Sequence, residues 1–222
     1  MPGFIIHMAA AKEYLRLCSI KNETYINDYI VGSVAPDIVE ENNKKQSHFW
    51  SDSEFAQFVR KPDMDAFLKK HGDRINEPFV RGYYHHLIFD LKFLELYWTK
   101  HFLFFNDKLE PAFLYDDVTQ VKLIDNERIY PRKRFFSDEM YYGDYTRMNS
   151  RYIEKYGLKA LSLMECETTI DDYGFSMERA RNEIGRLMEQ EKPDGQTVVF
   201  VSEEMDRLIV NIAAEFLKWN NI

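Results

Sequence analysis

The sequence predicts an all-α protein, one multi-helix bundle over residues 1–222 with a small irregular or hairpin insertion. Three observations carry that reading. Stretches rich in helix formers, with apolar residues at helical spacing, recur along the chain and are bounded by capping or stopping residues. Helical periodicity fails from about Asn106 to Arg134. No composition break divides the chain, and 222 residues with 45% hydrophobic side chains suffice for one sizeable core but are short for two.

The elements follow in order. Residues 7–18 are good helix formers with His7 in the first turn. A second helix starts after Asn22 and is expected to stop at Gly32, a natural residue just past a helix end. Pro36 pushes the residue before it out of the α region, so Asp37 sits on a fixed turn. Asn42 to Ser47 reads as a polar loop leading to His48, and Ser51-Asp52-Ser53-Glu54 reads as a capping box opening a helix. Asp63 caps a short helix closed by Gly72. After Asn76 and Pro78 a long helix is expected from about Glu77 to Phe102. Gln120–Ile124 and Arg128–Tyr130 flank Asp125-Asn126 as a small hairpin. Ser137 is expected to cap a helix to Tyr156, with Gly157 as its stop. Ser176–Glu191 and Ser202–Trp219 read as amphipathic helices, and Thr197–Val201 as a lone β-prone stretch.

Composition removes several function classes. The formal charge of −8 is interspersed rather than blocked, which disfavours general nucleic-acid binding. Arg132-Lys133-Arg134, after Pro131, reads as solvated surface. No apolar run approaches the ~18 residues of a membrane span. Phe4-Ile5-Ile6 lacks a preceding basic region and is followed by Lys12-Glu13, which does not suit a signal peptide. Cys18 and Cys166 form neither a disulfide framework nor a Cys-x-x-Cys pattern, so a reducing, cytoplasmic setting is expected.

The chemistry centres on Tyr83-Tyr84-His85-His86-Leu87-Ile88-Phe89-Asp90. His86 and Asp90, four apart on a helix, share one face beside the apolar Leu87, Leu91 and Leu94. Burying an imidazole and a carboxylate there costs several kcal/mol unless they are paired, hydrogen-bonded or metal-bound. A His–Asp hydrogen bond inside a bundle explains the pair equally well. Asp37 on its proline turn, His48 before a helix start and His7 near the beginning extend the set of candidate ligands. Their rival readings are a turn carboxylate for Asp37 and a capping or surface histidine for His7. Such imidazole and carboxylate donors suit one or two zinc ions, and manganese or ferrous iron accept the same set. His85 points about 100° away from His86 and reads as a supporting or surface group. His71 reads as a helix C-terminal cation. His101 lies about 16 Å along the helix from Asp90, too far for the same ion.

The order His7, Gly32-Ser33-Val34-Ala35-Pro36-Asp37, Ser47-His48 and Gly82-Tyr83-Tyr84-His85-His86-x-x-x-Asp90 resembles the zinc-dependent phospholipase C family, related in fold to single-strand-specific zinc nucleases. The resemblance covers roughly the first 100 residues. It implies a phosphodiesterase site at the heart of a helical bundle, with Asp37, His48, His86 and Asp90 on one zinc. It also implies that Asp90 bridges to a second ion touched by His7. After Asp90 the next turns carry Phe93, Leu94, Leu96 and Tyr97 where that family has further ligands. Asp144, in Tyr142-Gly143-Asp144-Tyr145, is the remaining candidate for a second ion, against a surface or tyrosine-bonded carboxylate. The expected activity is hydrolysis of a phosphodiester or phosphomonoester by a metal-activated water, with Asp37 or Asp90 taking or orienting the water proton. The acidic charge favours a small soluble phosphate ester. The competing expectation is a non-catalytic, metal-stabilised helical module that binds a partner.

Overall fold

The computed structural model describes residues 2–52, 55–160, 166, 170, 173–189 and 196–219. The fold is mostly helical with one small three-stranded sheet. Helix α1 (Phe4–Leu17) is buried without interruption from Ile5 to Ala11, which no amphipathic surface helix would be. The cause is its position, since α2 (Glu23–Val34), α5 (Pro78–Phe93), α8 (Tyr141–Tyr156) and α10 (Ser202–Trp219) all pack on it. His7 is thereby carried into the interior.

Helix α2 starts where expected, with the Asn22 side chain accepting from the Tyr25 N–H at 2.9 Å. It does not stop at Gly32. It continues to Val34 and passes into a 3₁₀ turn at Ala35–Asp37, because Gly32 serves a helix crossing rather than a helix end. A Cβ on Gly32 would stand 2.0 Å from the Phe79 carbonyl oxygen, and one on Gly82 would stand 2.1 Å from that of Tyr29. Each helix therefore uses a glycine to admit the other's backbone.

Asn42–Ser47 is helical where a loop was expected: a 3₁₀ turn at Glu41–Asn43 leads into the short α3 (Lys44–Ser47). The helix expected from the capping box is not formed. Ser53 and Glu54 lie outside the described residues, and 55–62 make turns with isolated bridges Ala56 to Val59 and Trp50 to Pro62. Tertiary bonds override the local signal there, since the Gln57 amide donates to the Phe104 and Ala112 carbonyls and accepts from the Phe104 N–H. Helix α4 (Met64–His71) is capped by Asp63, which accepts from the Ala66 N–H at 2.9 Å.

Helix α5 runs on through a π-turn at Leu94–Trp98 into α6 (Thr99–His101), close to the expected long helix. Phe102 instead opens β1 (Phe102–Phe105), whose side chains alternate between core and surface. The hairpin expected around Asp125-Asn126 is present as β2 (Gln120–Leu123) and β3 (Ile129–Pro131), and β1 adds antiparallel to β2, pairing Phe102 with Leu123. After α7 (Arg132–Phe135), α8 begins at Tyr141, four residues later than Ser137, and ends at Gly157 with φ +56°. Helix α9 spans Met177–Glu189; Glu191, its expected end, lies outside the described residues. Thr197–Val201 forms no strand. No described helix is long and apolar enough to cross a membrane.

Candidate metal centre

Five side chains from four segments meet beside α5. His7 comes from α1, Asp37 from the 3₁₀ turn, His48 from the residue capping α3, and His86 with Asp90 from α5 itself. His7, His48, His86 and Asp90 are buried, and the Asp37 side chain keeps 16% exposure, which makes it the one that reaches solvent.

The chain orients two of the imidazoles through their other ring nitrogen. His86 Nδ1 donates to the Ser33 carbonyl at 2.9 Å, and His48 Nδ1 lies 3.0 Å from the Lys44 carbonyl, which also accepts the His48 backbone N–H. A carbonyl can only accept, so in the neutral rings the proton sits on Nδ1 and the lone pair on Nε2 faces the centre. His48 is fixed further by its neighbours: the Ser47 hydroxyl donates to Pro36 at 2.8 Å, and Tyr83 donates to the Ser47 carbonyl at 2.6 Å. The ring of His7 stacks on that of His86 at 3.7 Å.

Spacing decides what the cluster is built for. His86 Nε2 stands 3.4 Å from Asp90 Oδ2, His48 Nε2 3.3 Å from Asp37 Oδ1 and 3.8 Å from Asp90 Oδ2, and His7 Nε2 3.5 Å from Asp90 Oδ1. Charge-assisted hydrogen bonds close to about 2.7–2.9 Å. The same molecule makes such bonds elsewhere: His101 meets Asp125 at 2.6 Å and Glu204 at 2.9 Å. Donors about 2.0–2.2 Å from a tetrahedral ion instead lie roughly 3.3–3.6 Å apart. Accordingly, the Nε2 atoms of His7, His48 and His86 and both oxygens of Asp90 are buried without a hydrogen-bond partner. His7, His86 and Asp90 form one set whose ligand atoms lie within 4.8 Å of one another, and Asp37, His48 and His86 form a second. These buried groups can hold a metal ion, and His86 is common to both sets.

Charge points the same way. Burial opposes ionisation of Asp90, yet the neighbouring imidazoles, His86 first and then His7, hold its carboxyl well below the usual range. Asp37 is likewise held low, against burial, by its neighbours His48 and His86. Burial and the neighbouring His86 push His7 down, so it stays a neutral donor. Burial also works against charge on His86, but Asp90 and Asp37 outweigh it and raise the ring. Two carboxylates kept anionic in a buried cluster are suited to a cation.

The remaining candidates lie elsewhere. His85 is buried on the opposite side of α5, donating to or accepting from the Tyr29 hydroxyl at 2.9 Å and stacked on Phe216 at 4.7 Å. Burial pushes it down to about 3. His71 is buried at the last residue of α4. Asp144 is not part of the cluster: its carboxylate accepts from the N–H groups of Val198, Val199 and Phe200 at 2.6–2.9 Å and from Arg147 at 2.7 Å. Five such bonds leave it little capacity for a second ion. Burial chiefly, then Tyr141, and then the charges of Asp90 and Asp37 raise the phenol of the next residue, Tyr145. It donates to the Tyr141 hydroxyl at 2.7 Å. Nothing in the local sequence distinguished Tyr145 from its neighbours, because the face that α8 turns inward is set by packing. No family model, curated protein or solved structure matches the chain.

Proposed function

We propose that the protein is a metal-dependent phosphoesterase, hydrolysing a phosphodiester or phosphomonoester, with zinc as the first candidate metal. The observation that carries the reading is the stand-off of 3.3–3.8 Å between buried imidazole nitrogens and carboxylate oxygens that have no other partner. The ordered motifs that resemble the zinc-dependent phospholipase C family are the ones that converge, which supports phosphoryl chemistry over other metal-assisted hydrolysis. His48, His86, Asp90 and Asp37 would hold one ion, and His7 with Asp90 would contribute to a second. A bound divalent metal supplies Lewis acidity and lowers the pKa of water towards neutrality. Asp37, at the solvent side, accepts the proton of the attacking water, and Asp90 orients the imidazoles around it. The hydrogen bonds from His48 and His86 to backbone carbonyls hold the donors in position before substrate arrives.

Burial favours a second reading, a metal-stabilised module without turnover, because Asp37 alone among the five side chains reaches solvent. Elemental analysis of the purified protein and assay of a generic phosphodiester and phosphomonoester, with and without chelator, separate the two. Metal with chelator-sensitive turnover is the expected result. Metal without turnover on any ester selects the module, and a metal-free protein rejects both.

A further inference from the structure

A groove of about 580 Å³ has walls made in part by segments that carry the candidate ligands. Glu41 follows Asp37 by four residues, Trp50 follows His48 by two, and Leu94 and Trp98 follow Asp90 along the same helix. The Trp50 ring lies 5.8 Å from that of His48. Leu94 and Trp98 open and close the π-turn of that helix, a distortion found frequently at functional sites. Phe58 and Tyr115, 5.5 Å apart at a steep angle, form the outer wall.

The lining has a definite chemistry. Two indoles, a phenyl and a phenol are among the lining side chains, and the volume is that of a small-molecule site. The Trp50 Nε1–H is buried without an acceptor. Arg60 brings positive charge to the lining, Lys45 is paired with Asp52 at 3.3 Å, and the Arg132 guanidinium lies 4.0 Å over the Tyr115 ring. Glu41, the carboxylate among the lining residues, is paired with Lys44 at 3.3 Å.

We propose that this groove binds the planar aromatic or heteroaromatic group of an aryl-type phosphate ester, whose phosphate lies at the metal centre. The assignment rests on the phosphoesterase reading for the anion and on the groove for the ring. Flat aromatic walls favour a stacked ring over a flexible alkyl chain, because stacking gains attraction over one face without ordering a chain of rotatable bonds.

Two of the three tryptophans of the chain line the groove, so binding can be followed without turnover. Metal-loaded protein is titrated with 1-naphthyl phosphate, n-octyl phosphate and inorganic phosphate, reading tryptophan fluorescence and heat. Naphthyl phosphate should bind about tenfold tighter than phosphate and tighter than octyl phosphate, within the range of a stacked ring. Phe58→Ala should reduce the naphthyl-to-phosphate affinity ratio at least about threefold. Tyr115→Ala, at a half-exposed position that does not support the core, should lower the same ratio and guards against misfolding of the first variant. Equal binding of naphthyl phosphate and phosphate, or tighter binding of octyl phosphate, overturns the proposal even when metal and turnover are present. Failure of the phosphoesterase reading looks different: no metal or no turnover, with the aryl preference and its loss in the two variants intact.

Discussion

Replacing Asp90 by asparagine keeps the side-chain shape and removes the charge that three imidazoles surround. Asp90→Asn should therefore lower metal stoichiometry and abolish chelator-sensitive hydrolysis. His85, one residue before His86, provides the contrast: it hydrogen-bonds Tyr29 and stacks on Phe216, away from the cluster. His85→Ala should keep its metal but lose about 2–3 kcal/mol of stability, from the cavity and the unpaired Tyr29 hydroxyl. Elemental analysis and denaturant melts of the two variants side by side check both statements. Loss of metal in His85→Ala with retention in Asp90→Asn would show that the face of α5 assigned to the ion is the wrong one. At this scale the sequence was informative because four-residue spacing on a helix fixes which side chains share a face. It offered Asp144 as a candidate for a second ion, because the segment at 198–200, whose N–H groups meet that carboxylate, is distant in the chain.

Between elements, the crossing of α2 and α5 holds the centre together. Gly32 and Gly82 let the two backbones touch, and the Ser33 carbonyl that orients His86 lies beside that contact. Gly82→Ala should cost about 1–3 kcal/mol by overpacking, and also weaken metal binding roughly 10–100-fold as that carbonyl is displaced. Gly185→Ala, on α9 with nothing within 4 Å of the added carbon, should be neutral or stabilise by up to about 1 kcal/mol. Thermal melts and metal titration of both variants test the pairing. A second inter-element clasp joins α6 to α10, where Lys100 and His101 both meet Glu204. The Lys100 hydrogen bond, helped by His101 against burial, holds Glu204 below its usual 4.5. A carboxyl lowered on folding stabilises above its unfolded value, and that contribution is lost as pH falls through the folded one. Glu204→Gln should therefore cost up to about 1 kcal/mol at pH 7, given the partial exposure, with the deficit shrinking below about pH 4. Urea midpoints across that range provide the check, and a deficit that grows on acidification contradicts the sign.

Across the whole molecule, a metal at this centre would tie α1, the turn after α2, the end of α3 and α5 to one point. Binding the folded chain only, it would add about 4 kcal/mol at a thousandfold excess over its Kd. Chelator should then lower the melting temperature by on the order of 10 °C for a chain of this size. An unchanged melting temperature in protein shown to have lost its ion would mean that the fold does not draw on the metal. His7 is brought inside by α1, which is buried from Ile5 to Ala11, and an ion would satisfy it.

What the sequence determined alone was local in origin. Asn22, Asp63 and Gly157 marked helix ends through backbone chemistry within three residues, Asp125-Asn126 marked a hairpin, and His86-x-x-x-Asp90 marked a polar pair on a buried face. What only the tertiary structure decided depended on partners distant in the chain. Gly32 lies within a helix because Phe79 needs its missing side chain, and residues 55–62 stay non-helical where Gln57 bonds to the first strand. Asp144 belongs to a peptide-bound carboxylate site rather than to the cluster. The gathering of His7, Asp37 and His48 around α5 belongs to the same class, because spacing along a chain identifies candidate ligands, whereas distances of 3.3–3.8 Å between their atoms exist only once the helices have packed.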